Sequence, residues 1–484
     1  MSSTTRLDEA LPNGSLKTPS YPSNCLAFLN SPPTVESSQT AHIRLNIIIV
    51  GAGLGGLATA IALATTGHTV TIYEQAAELG EVGAGIQIPS NSTRLLSRLG
   101  LDPYLQKYVT EPETISFRRW ESGDVIGLTK LIPNFRETFG APYYVIHRAN
   151  FHTALHKRAL DLGVKIKLAA RVVKYDAVGG SITLADGSSA SADLIIAADG
   201  MFQLTFSIYD AKYLAGVKSI ARSLVDESGQ PQFERTGFAA YRATVDVAKM
   251  KADPEISWLL DRPNLNIWIG DQRHVMTYTI GAGKSFNMVL SHPDNTDPST
   301  WDQTTALSDM KREFHGWDSR LQKIISMIES TIKWPLVSGT PLSRWTTGRL
   351  VILGDAAHAM LPYMSQGAAM AVEDGLALSR ALTKITQSAS LPHALQIFEK
   401  VRISRATKMQ EASLLNGKLW HFPDGPVQRA RDRAMRAEVL GELVAHSPNQ
   451  WTDPATQMWA YGYDAEGEID RVWGEVEGVV KSHL

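Results

Sequence analysis

The period of the apolar residues changes along this chain, and each change marks a region. Positions 44–74 read RLNIIIVGAGLGGLATAIALATTGHTVTIYE. Leu45 and the run Ile47, Ile48, Ile49, Val50 suit a strand buried on both faces. Apolar and small residues over 57–64 continue as a helix that Gly67 ends, and 69–73 predicts a second strand delivering Glu74. Ser90 or Asn91 is placed to cap a helix that runs through Leu99 to Gly100. Alternating runs over 115–146 predict short strands, and a helix follows over 150–162. Strands are expected at 164–167 and 172–175, with a hairpin from 181–184 through Gly187. A buried strand over 192–197 then runs through Ala198 into Asp199-Gly200.

From about 226 to 340 alternation dominates and predicts antiparallel β structure. Strands are expected at 237–247, 265–269, 274–280 and 286–291, with a helical segment over 301–330. A strand at 350–353 leads into Gly354-Asp355-Ala356-Ala357-His358. A helix over 366–385 carries the adjacent acids Glu373 and Asp374. The remainder from 386 reads as helical, with tryptophan-rich stretches around Trp420 and from Trp451 to Trp473 that are expected to be core or a packing surface. Residues 1–42 are rich in Ser, Thr, Pro and Asn without periodicity and are expected to be a disordered tail.

Composition narrows the partners more than the fold. Lys and Arg total 47 against 49 Asp and Glu, a net charge of −2, which gives no reason to expect nucleic acid or an anionic membrane. The single cysteine, Cys25, excludes an internal disulfide framework and a cysteine metal cluster. No apolar run reaches the ~18 residues of a membrane helix. The best candidate is interrupted by Gly51, Gly53, Gly55 and Gly56, and the first residues lack the pattern of a signal peptide. The expectation is a cytoplasmic enzyme with a large core.

The first region also carries candidate chemistry. Gly51-x-Gly53-x-x-Gly56 sits between a strand and a helix: Gly51 for a tight turn, Gly53 for close approach to a pyrophosphate, Gly56 for close helix–strand packing. Unpaired amides at the helix N-terminus favour phosphate. Glu74, about 20 residues on, can accept hydrogen bonds from an adenosine ribose. Strand, glycines, helix, strand and acid in register make a dinucleotide site the preferred reading.

Together with Asp199-Gly200 and Gly354-Asp355, in that order, these motifs resemble the class A FAD-dependent aromatic monooxygenases. The segments GAGIQIPSN, YYVIHRANFH, GDAAHAMLPYMSQGAAMAVEDG and SPNQWTDPATQMWAYGYDAE look most like a salicylate-hydroxylase-like branch found in fungi. The resemblance spans about 44 to the C-terminus. It implies an α/β fold: a Rossmann-like FAD domain of the p-hydroxybenzoate-hydroxylase type, an antiparallel substrate domain and a helical C-terminal region. It also implies that NADH or NADPH reduces FAD, that O2 adds to the reduced flavin, and that the flavin hydroperoxide hydroxylates a small aromatic substrate.

The roles that follow are implied by the resemblance. Glu74 would bind ribose, and Gly83, Ala84 and Gly85 would line the flavin side. Arg148 would reach FAD, with helix capping as the alternative. Asp199 belongs to the middle motif, Asp355 would hold the ribityl chain, and Gln366, Gly367 and Ala368 would face the isoalloxazine. His358 is expected to be structural. On the substrate side, Arg242 could pair with a carboxylate or phenolate and Tyr278 could donate or relay a proton. Each could instead be structural. Two departures stand out. Ser365 stands where the family often has glycine. Residues 201–216 interrupt text that would otherwise run ADG-VKSIAR, which suggests a retained short intron or a family-specific loop.

The expected division is a tail at 1–42, FAD-binding segments at 43–117, 144–225 and 341–400, substrate-domain segments at 118–143 and 226–340, and a helical region at 401–484. The expected activity is hydroxylation of a phenolic or aromatic acid, as in fungal secondary metabolism, by a monomer or homodimer. The alternatives are an epoxidase, a dearomatising hydroxylase, or an inactive flavin-binding protein disabled by the insert. A disulfide-type oxidoreductase would need a CxxC and a second GxGxxG, and the chain has neither.

Overall fold

A six-stranded and a seven-stranded sheet that contribute to one shared core organise the chain. The computed structural model describes residues 40–80, 84–200, 219–226, 228 and 231–482. Gly83 and residues 201–216 lie outside the described residues. The first sheet orders Thr346–Thr347, Leu350–Ile352, Leu194–Ala197, Asn46–Val50, Thr69–Tyr73 and Lys165–Lys167. Its pairs are parallel except at the Thr346–Thr347 edge. Asn46–Val50 lies inside it, and its β-branched residues are buried on both faces, as a covered parallel strand requires. The helices Leu54–Thr65 and Gly367–Thr383 cross so closely that a Cβ on Gly375 would lie 2.8 Å from the Thr59 backbone.

The second sheet orders Ile332–Gly339, Phe233–Asp246, Ser285–Pro293, Arg273–Ile280, Leu265–Gly270, Thr114–Arg119 and Val125–Lys130. It is antiparallel except where Leu265–Gly270 meets Thr114–Arg119. Alternation gives it two apolar faces. Tyr241, Ala243, Trp268 and Met288 pack under the helices Ala306–Glu313 and Ser319–Ser326. Ala240, Ile267, Met276 and Tyr278 join the core of the first sheet.

Local differences from the sequence expectation have local causes. The strand Phe233–Asp246 begins earlier than 237 because a bulge between Arg235 and Phe238, with Gly237 at φ +75°, lets the chain resume its pairing. Pro89, not Ser90 or Asn91, occupies the cap of Ser90–Arg98. Ser90 Oγ instead donates to the Ala141 carbonyl, and Asn91 reaches Gln366 and Glu373. The helix Arg148–Asp161 starts two residues early because the His147 ring nitrogen accepts from Ala149 N. The strand Thr114–Arg119 crosses position 118, and the helix Leu391–Trp420 crosses position 400. Trp420, Trp451, Trp459 and Trp473 are buried.

One polar network lies wholly inside. The Arg402 guanidinium donates to Asp374 and to Glu373, both at 2.8 Å. Arg405 donates to Glu373 at 3.1 Å and to the carbonyls of Trp459 and Ala460. His358 meets Asp374 at 2.6 Å, Gly354 N donates to the same carboxylate, and Asn91 donates to Glu373. Burial would raise the Asp374 pKa, but His358 and Arg402 outweigh it and hold the carboxyl at about 2, below its ordinary 3.8. That stabilisation is present above the ordinary value and is lost as pH falls toward about 2. Arg402→Met removes the cation shared by the two buried carboxylates, leaving Glu373 to Arg405 and Asn91 and Asp374 to His358 and Gly354 N. It should cost about 3–5 kcal/mol near neutral pH. The urea midpoints of variant and wild type should converge as pH falls below about 4, where protonation relieves the variant.

Candidate active site

The glycine loop turns where the sequence puts it. Gly51 has φ +103°, and a Cβ there would lie 2.4 Å from the Ala198 carbonyl; at Gly56 it would lie 2.1 Å from the Gly51 carbonyl. Gly53 differs: nothing lies within 4 Å of its Cβ position. It heads the helix Leu54–Thr65 without a side-chain cap and with no acid in the first turn. The N-terminal amides therefore face open space, and this cradle fits a pyrophosphate.

Around the cradle stand the predicted acids. Glu74 holds the turn together, accepting from Ala52 N at 2.7 Å and Ala76 N at 2.8 Å. Each oxygen keeps a further lone pair for a ribose hydroxyl. Asp199 is engaged by the protein: Tyr175 donates at 3.1 Å and Ser219 at 3.0 Å. Burial pushes it up to about 6 against those two hydrogen bonds. Asp355 is exposed beside buried neighbours at the start of Asp355–His358 and has no side-chain partner among the described residues. Arg222 is buried and donates to the carbonyls of Ala356 and Ala357, which fixes this turn.

The flavin-side segment meets the substrate sheet directly. Gly85–Ile88 pairs with Tyr144–His147, and Arg148 N donates to the Ala84 carbonyl. A Cβ on Gly85 would lie 2.4 Å from the Tyr278 ring, so the loop backbone rests on the phenol. Gly85 N donates to Asn287 at 2.7 Å, and Asn287 faces Tyr278 across the sheet. Tyr278 is buried. Burial pushes its pKa well above the usual phenol range, against smaller opposing pulls from Arg242 and Gln87.

Arg242 combines two properties. Its side chain is solvent-accessible, yet burial lowers its pKa, with Tyr278 favouring the charge and Arg148 opposing it. Arg242 pairs with Val289 and Tyr278 with Asn287, so both side chains stand on one face of the sheet. Trp334 lies 6.0 Å from its guanidinium. The structure thus brings Arg242, Tyr278, Arg148 and Gly85 to one place.

Gly367 and Ala368 open the helix Gly367–Thr383, half-buried, with no side-chain cap on their amides. The Gln366 side chain does not face outward with them; it is buried in a reciprocal amide pair with Asn91. Ser365 adopts φ 55°, ψ 30°, which explains why glycine suits this position. Sequence reasoning missed Asn287, Arg222, Arg402 and Arg405. A pair of acids in the otherwise apolar Gly367–Thr383 helix was the available signal for the last two.

An open glycine turn at an uncapped helix start, with an acid beside it, suits a dinucleotide. The family model described as an FAD binding domain matches residues 44–413, and the chain belongs to that family. It is 33% identical over 430 residues to the FAD-dependent monooxygenase OpS4 of Beauveria bassiana, covering 88% of this chain and 96% of that one. It is 32% identical over 425 residues to the 3-amino-4-hydroxybenzoate 2-monooxygenase PtnB3 of Streptomyces platensis, covering 87% and 97%. A salicylate hydroxylase substrate complex superposes with a TM-score of 0.69 at 24% identity, over 88% of this chain and 97% of that one, which shows the fold. The protein is an FAD-dependent monooxygenase that uses NAD(P)H. Among the described residues no helix is long and apolar enough to cross a membrane.

Gly53→Ala tests the cradle. Its Cβ meets no protein atom, so the apoprotein melting temperature should stay put while the FAD dissociation constant rises at least about tenfold, a loss of ~1.4 kcal/mol. Gly56→Ala should instead lower the melting temperature of the apoprotein itself.

Proposed function

We propose that this enzyme hydroxylates a planar phenolic or aromatic acid whose negative charge meets Arg242. The observation that carries this reading is the water-accessible Arg242 on the sheet face that also bears Tyr278, within the field of Arg148. Bound FAD, reduced by NAD(P)H and reoxidised by O2, supplies the oxygen transfer. The chain supplies the rest. Gly53 and the Leu54 helix amides receive the pyrophosphate, Glu74 the ribose, and Asp355 the ribityl hydroxyls. Amides of Gly367 and Ala368 offer positive dipole ends to negative charge on the ring system.

Arg242 orients the substrate anion and favours its ionised form, which makes the ring more electron-rich. Tyr278 remains a neutral donor through the working pH range, because burial holds its proton. We place the enzyme in the cytoplasm as a monomer or homodimer. Its FAD and substrate segments alternate along the chain as the sequence suggests, but with the boundaries near 118 and 400 moved to the ends of the elements that cross them.

The experiment follows NAD(P)H oxidation and product formation with a panel of phenolic acids and their neutral amides. Arg242→Gln should raise KM for the acids by at least about tenfold, as a lost charge-assisted pair implies, while leaving the amides and FAD affinity little changed. Equal loss for acids and amides overturns the anion reading.

The 201–216 segment has its own test. Asp199 and Ser219, which flank it, are already hydrogen-bonded at 3.0 Å. A chain lacking 201–216 should therefore fold and bind FAD stoichiometrically, and sequencing of the spliced messenger should show whether its codons are retained. A shortened chain that stays colourless argues that these residues belong to the protein.

A further inference from the structure

Asn287 occupies the join between the flavin-side loop and the substrate floor. It lies on Ser285–Pro293, opposite Tyr278 on one side and Thr244 on the other. It is fully buried. Its Oδ1 accepts from Gly85 N at 2.7 Å, joining two domains across 202 positions of sequence. Its Nδ2 is buried and has no hydrogen-bond partner among the described residues. Burying a donor without an acceptor is unfavourable, so packing alone would be better served by leucine at this site. The half of the amide that the structure uses is the acceptor.

Gly85 supplies the second, independent observation. Its backbone lies against the Tyr278 ring with no room for a Cβ. Two contacts, one polar and one steric, therefore hold one peptide at a fixed height above one strand pair.

We infer that Asn287 is a positioning residue whose carbonyl clamps the Gly85 loop onto Tyr278, setting the spacing between the flavin-side backbone and the floor that carries Arg242 and Tyr278. This rests on the function proposed above. The two fates of the reducing equivalents are distinguishable by their products. With correct spacing, NAD(P)H, H+, O2 and an arene ArH give NAD(P)+, ArOH and H2O. With the spacing relaxed, NAD(P)H, H+ and O2 give NAD(P)+ and H2O2, and the arene is recovered.

The test compares Asn287→Leu, which removes the acceptor, with Asn287→Asp, which keeps an oxygen for the Gly85 N–H and removes the unpaired donor. Both are prepared as full-length holoprotein. Three quantities are read: FAD dissociation constant, H2O2 per NAD(P)H consumed, and amide hydrogen exchange in the peptide containing 84–88. Asn287→Leu should bind FAD within about twofold of wild type, form several times more H2O2, and exchange the Gly85 amide at least about fivefold faster. Asn287→Asp should restore both. Unchanged exchange and coupling in Asn287→Leu overturn the clamp, as does an Asn287→Asp variant that behaves like Asn287→Leu. If Asn287→Leu does not fold, Asn287→Asp decides: wild-type protection of Gly85 supports the clamp and lost protection overturns it. Slower exchange in wild type than in Asn287→Leu, with no arene hydroxylated by either, keeps the clamp and defeats the substrate reading instead.

Discussion

The buried meeting of Arg402 and Arg405 with Glu373 and Asp374 is the constraint on which the arrangement rests. Charges without water are costly, and they persist in a core only when each finds its complement. Here each complement comes from a different stretch of chain. The helix Gly367–Thr383 supplies the acids, Leu391–Trp420 the arginines, Ser90–Arg98 the amide of Asn91, and the short helix Asp355–His358 an imidazole at its end and, from Gly354 at its head, a backbone donor. Apolar packing tolerates small slips; a four-way ionic junction does not. It therefore fixes the register of the segments whose ends surround the cavity.

The active cavity follows from that register and from the two-faced second sheet. Alternation along Phe233–Asp246 sends Tyr241 and Ala243 into one core and leaves Arg242 on the other face. The opposite core holds the sheet rigid, so residues on the cavity face move with the floor as a unit. Gly85 lies against that floor because it has no side chain, and the parallel sheet delivers Gly51 and Gly56 to their tight contacts by the same means. Close backbone approach, held by the Asn287 side chain at Gly85 N, brings the cofactor end and the substrate end together.

Much of this was legible in the sequence. The glycine spacing, Glu74 and the strand run Ile47 to Val50 carry their meaning within a single βαβ unit, where local sequence dictates geometry. The period-two region gave its strands for the same reason, although the bulge at Gly237 moved one boundary. Contacts between distant segments were not legible. Nothing local to Asn287 announces Gly85, because an amide on a strand face has the same pattern whatever it meets. Gln366 sits among residues that border the cavity, yet its side chain turns to Asn91, a choice decided by a helix far away in sequence. The partners of Asp199 were hidden for the same reason: Tyr175 and Ser219 each donate to one of its oxygens from segments some 20 residues away.

Ser365 bears on motion. A residue with a Cβ in the left-handed region stores roughly 1–2 kcal/mol that glycine would not. Here it stands directly before Gln366, which gives way to the helix Gly367–Thr383, whose first amides carry no side-chain cap. Behind it, a turn or two along that helix, lies the ionic junction. Free energies of local opening follow such differences. The front edge of the helix therefore breathes at lower cost than its centre, so thermal fluctuation concentrates at the mouth of the cavity and leaves its frame still.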